Sequence, residues 1–160
     1  IAVGFSPSAV PLYITILFAI ILGLYDAKYT VVDCRVSVPA IMWGAVYGLV
    51  FTSIGWQSML LGGALGWGFY AVQYYASGGR WVGKGDLELG LFMGLVLGWQ
   101  YMLLALFTSY IVGTITCIPL LIYRKKALQI AVPMGVFLML GLWAMLLWGA
   151  DIWDAYMQLF

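Results

Sequence analysis

The 160 residues include no histidine and no asparagine. The first absence removes the Ser-His-Asp triad, the HExxH zinc site and histidine ligation of haem. The second removes any N-glycosylation acceptor. Charge is scarce as well: seven Lys/Arg and six Asp/Glu make up 8% of the chain and leave a net charge of +1. So small an excess excludes the basic patch on which nucleic-acid binding depends. The two cysteines, Cys34 and Cys117, form no CxxC pair, so neither a zinc knuckle nor a disulfide framework is expected. No metal site and no cofactor are predicted.

Hydrophobic residues are abundant instead, at 65% of the chain, and mean hydropathy is +1.04. Apolar runs without a polar stripe mean helices that meet lipid. The runs predict an all-α, polytopic membrane protein with six transmembrane helices, at 9–25, 38–54, 58–75, 86–99, 101–123 and 128–149. A span needs about 20 residues. Residues 86–123 are too many for one, so the chain must turn near Gly98-Trp99-Gln100. The chain as a whole, 1–160, reads as a single transmembrane domain.

Lys28, Arg35, Arg80, Lys84, Arg124, Lys125 and Lys126 all follow spans one, three and five. The positive-inside rule then places those loops in the cytoplasm and both termini outside. Span four carries Gly90, Gly94 and Gly98, and span three Gly62 and Gly66, spacings that let helix backbones approach closely in lipid.

Against this background the segment GKGDLELG, residues 83–90, puts Asp86 and Glu88 where a span begins. A carboxylate at membrane depth is costly and marks function by default. Asp26 ends span one, and both spans meet the membrane from the same face. Two converging carboxylates are the minimum equipment for aspartic proteolysis, one acting as base on a water and the other as acid on the scissile carbonyl. Gly83 and Gly85 let backbone or substrate come close to Asp86. A lone GxGD is otherwise a turn followed by a helix cap. Asp33 reads as a loop charge beside Arg35. Glu88, two positions from Asp86, points away from it on a helix. Asp151 and Asp154 lie in the tail. A Ser77–Lys84 dyad has no motif to support it.

These residues resemble the type IV prepilin peptidases, GxGD-type aspartic proteases of the bacterial inner membrane with archaeal preflagellin relatives. DAKYTVVDCRVSVP, residues 26–39, aligns without a gap to the family's DxxxxxxPDxLTxP. Asp26 falls on the first catalytic Asp, Ser37 on the Thr and Pro39 on the final Pro. GKGDLEL matches GxGDxKL and puts Asp86 on the second catalytic Asp; VPMGVFL, residues 132–138, matches a PFGPFL-like element. The resemblance implies an endopeptidase that cleaves the basic leader of a prepilin or pseudopilin at the cytoplasmic face, with Asp33 and Glu88 as candidate contacts for that leader. The chain departs from the pattern at Asp33-Cys34, where the family has Pro-Asp, and at Glu88, where it has Lys. The paired CxxC motifs that accompany N-methylation in bacterial members are absent, and the chain alone is expected not to methylate. Expected partners are the substrate and the lipid bilayer; no oligomeric state is implied.

Two rival readings fit parts of the pattern. Presenilin and signal-peptide-peptidase proteins also pair YD, here Tyr25-Asp26, with GxGD, but no PAL element follows Asp86. A small transporter or scaffold could instead use the acids for ion relay.

Overall fold

The computed structural model describes residues 9–30, 32–123 and 133–158. Those residues are built from helices alone: α1 (Val10–Tyr29), α2 (Cys34–Val46), α3 (Trp56–Ser77), α4 (Lys84–Tyr123) and α5 (Met134–Met157). Past Val46, α2 widens into π-helical turns over Tyr47–Phe51. Pro stands in the first turn of α1, where the missing N–H costs nothing. The helix ends at Thr30, in the left-handed region with φ 53°, whose N–H returns to the Asp26 carbonyl. Asp33 caps α2 by accepting from Arg35 N at 3.0 Å.

Among the described residues, four helices are long and apolar enough to cross a membrane: α1, α2 with its π extension, α4 and α5. At 22 residues α3 has the length, but its glycines, tyrosines and glutamines keep it outside that set. Expected spans four and five fall within the single 40-residue helix α4, broken at Gly98 (φ 72°, ψ 174°). Only glycine adopts that conformation readily. A Cβ at Gly98 would also stand 2.5 Å from Ile54 Cγ2 and 2.7 Å from Ser58 Oγ. Unbroken, 40 residues would reach about 60 Å, twice the hydrocarbon thickness. After Gly98 the second segment returns beside α3, with the Tyr110 ring edge-on to Phe69 at 5.9 Å.

Three elements of the architecture position the site. α4 is central: 67% of its membrane window is buried, against 28% for α1 and for α2. Leu89, Phe92, Met93 and Val96 of its first segment pack with Leu22 of α1 and Leu138 and Leu142 of α5. Glycines hold α3 against α4. A Cβ at Gly62 would lie 2.5 Å from the Gly94 carbonyl oxygen, and one at Gly66 would run into that of Gly90. With no hydrophobic drive between helices in lipid, such close backbone packing supplies the association. Across α1 and α2, the Trp43 indole donates to Thr15 Oγ1 at 2.9 Å, while Thr15 donates to the Pro11 carbonyl. Large apolar side chains on the outer faces, Leu17, Leu24, Met42, Val50 and Phe107 among them, are exposed as lipid-facing positions should be.

Candidate active site

The α1–α2 connection touches the first turn of α4. Gly85 abuts Val32, its Cβ position only 2.8 Å from Val32 Cβ, so no larger residue fits there. The same end of the bundle holds Lys28, Arg35, Arg80 and Lys84, the four basic residues among those described. Arg124, Lys125 and Lys126 lie outside the described residues, as does the start of the expected sixth span.

Asp86 stands in the first turn of α4, three residues after Gly83. Its Oδ2 accepts from Gly83 N at 2.9 Å, and its own N–H reaches the Gly83 carbonyl at 3.3 Å. The carboxylate reaches back to the residue before the helix as the third residue of a capping box does, while the return bond goes to the Gly83 main-chain carbonyl instead of a side chain. The cap fixes where Asp86 sits and leaves its carboxyl at the helix mouth. Before it, the buried Ser77 hydroxyl accepts from Arg80 N and Trp81 N, both at 3.2 Å, and shapes the turn that delivers GKGD. Ser77 is thus engaged in the turn.

Asp26 sits in the last turn of α1 and is buried, with 5% exposure. Its Oδ2 accepts from Gly135 N at 2.7 Å, across 109 residues of sequence. Gly135 opens α5, so the carboxylate occupies the N-terminal end of that helix, where free N–H groups point at it. At the Gly135 Cβ position, Asp26 Oδ2 and Leu89 Cδ1 both approach to 2.7 Å. One point therefore gathers α1, α4 and α5. Asp26 in the last turn of α1 and Asp86 in the first turn of α4 thus stand at the same end of the bundle. Among the described residues no three acids or cysteines gather in a way that could hold a metal ion.

The type IV leader peptidase family model matches residues 13–118, a stretch that contains both acids. The chain belongs to that family. Curated relatives called prepilin leader peptidase/N-methyltransferase are similar to it. The one from Pseudomonas putida is 26% identical over 86% of this chain and 49% of its own length. The one from Stutzerimonas stutzeri is 30% identical over 73% of this chain and 36% of its own. The one from Bacillus subtilis (strain 168) is 26% identical over 98% of this chain and 62% of its own. The chain spans about half the length of the first of these. No solved structure matches it. With its apolar helices, this member of the leader peptidase family is a multi-pass membrane protein.

The other singled-out acids are placed differently. Asp33 is exposed and caps α2. Glu88 leans toward α2, where the Cys34 thiol donates to its Oε1 at 3.7 Å. Its Oε2 is buried and has no partner among the described residues. Asp151 and Asp154 are exposed on the last turns of α5, which runs on to Met157. Reasoning from sequence did not find the Gly135 contact. Its one signal was the VPMGVFL segment, which contains Gly135 but carries no chemical group to nominate it.

Proposed function

We propose that this chain is a membrane aspartic endopeptidase that removes the basic leader of type IV prepilins or pseudopilins. The observation that carries this reading is the placement of Asp26 and Asp86 on two different helices, at the end of the bundle that also holds the basic residues. The family and the named relatives support the substrate class.

In the proposed reaction one aspartate, as carboxylate, takes a proton from a water whose oxygen attacks the scissile carbonyl carbon. The other, as carboxylic acid, gives its proton to the carbonyl oxygen. The resulting gem-diol collapses as the C–N bond breaks, the departing nitrogen is protonated, and a new carboxyl end and a new amine end remain. Helix N-terminal N–H groups steady both acids: Gly83 N holds Asp86 and Gly135 N holds Asp26.

The site faces the cytoplasm of the inner membrane under the positive-inside rule, because all four basic residues among those described fall at that end. The same orientation brings a basic leader to exposed Asp33 and to the unpartnered oxygen of Glu88. The full reading comprises six membrane crossings, with α3 and the two segments of α4 each crossing once, in a single peptidase domain. The purified chain, mixed with a prepilin in detergent, should yield a shortened pilin with a new N-terminus just before its apolar helix. Intact substrate after long incubation would favour a transporter or scaffold and end the protease reading. Replacing the leader's Lys/Arg by Gln should raise KM about tenfold, as expected for lost ion pairing worth about 1.4 kcal/mol.

A further inference from the structure

The glycine contacts between α3 and α4 define an antiparallel register. Gly62 meets Gly94, Gly66 meets Gly90, and the next helical turn sets Tyr70 opposite Asp86. The ring of Tyr70 lies over Gly90, with Cδ2 2.7 Å from the position a Cβ would take there. Gly90 is one turn from Asp86 on the same helix face.

Tyr70 is completely buried, yet its hydroxyl has no hydrogen-bond partner among the described residues. Tyr110 stands nearby, with Phe69 edge-on to both tyrosine rings, but does not meet hydrogen-bond geometry with Tyr70, and Asp86 lies one helical turn from the Gly90 that Tyr70 covers. Packing alone does not account for this hydroxyl. A phenylalanine would fill the same space against Gly90, whereas a buried unpaired O–H destabilises the fold. Unsatisfied polar groups that persist in a core call for another role.

We infer that Tyr70 is a positioning residue for Asp86. Gly83 N–H occupies Oδ2 of the carboxylate. The Tyr70 hydroxyl donates to the remaining oxygen when the Asp86 side chain turns toward α3 as substrate binds, the two helices already being in backbone contact. Held at both oxygens, the carboxyl keeps the plane in which it meets the attacking water. The inference rests on the aspartic-protease reading above and adds a third polar group to its site.

The test compares the full-length chain with Tyr70→Phe, Tyr110→Phe and Asp86→Asn, all on a prepilin in detergent. Tyr70→Phe should lower kcat by about tenfold to a hundredfold, as misplacement of a reacting group does, with little change in KM. Its Tm should be unchanged or higher, because the variant removes only an unpaired polar atom. Tyr110→Phe should cleave at close to the parent rate. A Tyr70→Phe chain with parental kcat overturns the inference, as does a loss of kcat accompanied by a lowered Tm or matched by Tyr110→Phe. Parental activity in Tyr70→Phe beside an inactive Asp86→Asn removes Tyr70 alone, whereas an active Asp86→Asn removes the aspartic reading and this inference together.

Discussion

A methyl group added at Gly135 would stand 2.7 Å from Asp26 Oδ2 and 2.7 Å from Leu89 Cδ1. Neither neighbour has room to retreat, since Asp26 and Leu89 are both buried. Gly135→Ala should therefore push the carboxylate off the α5 terminus and lower kcat about a hundredfold, the usual consequence of a misplacement near 1 Å. Measured cleavage, with circular dichroism to show retained helices, checks this. Asp33 caps α2 as well as being a proposed contact for the leader. Asp33→Asn keeps a good cap and should keep most activity, while Asp33→Ala should cost about 1 kcal/mol in thermal unfolding. Glu88→Gln should likewise retain most cleavage. At this scale the sequence was legible where a residue type carries its own chemistry. Asp26 and Asp86 stood out because carboxylates are rare in so apolar a chain. Gly135 and Tyr70 did not, because a backbone N–H and one tyrosine among eleven acquire meaning only from a register that joins distant segments.

At the scale of elements, the α3–α4 interface depends on glycine. A Cβ at Gly66 would collide with the Gly90 carbonyl and come within 2.6 Å of Met102 Cε. Gly66→Ala should destabilise the fold by about 1–3 kcal/mol, the range for overpacking, read as a lower unfolding midpoint in detergent. Activity should fall as well, because the same interface carries Asp86. Gly68, with nothing within 4 Å of its Cβ position, is the matched control, and Gly68→Ala should change little. The turn near residue 98 was legible from length alone, since 86–123 cannot lie in one span. Its position came from glycine, the residue that tolerates φ 72°. Helix ends were less legible. Asp26 lies inside α1, which runs to Tyr29, where the apolar run had suggested an end at residue 25. A helix continues as long as its backbone can hydrogen-bond, and hydropathy marks only where the lipid stops.

For the whole molecule, the proposal draws on one end of the bundle: basic residues stand there, which under the positive-inside rule would make it cytoplasmic, and Asp26 and Asp86 lie on helix ends beside them. In a background lacking Cys34 and Cys117, Trp81→Cys and Gln57→Cys should label from opposite sides of the membrane, with Trp81 reached from the cytoplasm. The sequence conveyed the class and the family of the chain because span composition and motif spacing are local properties. Which surfaces meet, and which helix end receives Asp26, depend on packing that no local pattern encodes. The most direct test of the central claim is cleavage of a prepilin by purified Asp26→Asn and Asp86→Asn chains, each shown by circular dichroism to keep its helices. Asparagine keeps the size of the side chain and loses its titration. The account predicts that each change lowers the rate by about 10² to 10⁴, the contribution of a general acid or base. A folded Asp86→Asn chain that still cleaves near the parent rate would contradict it.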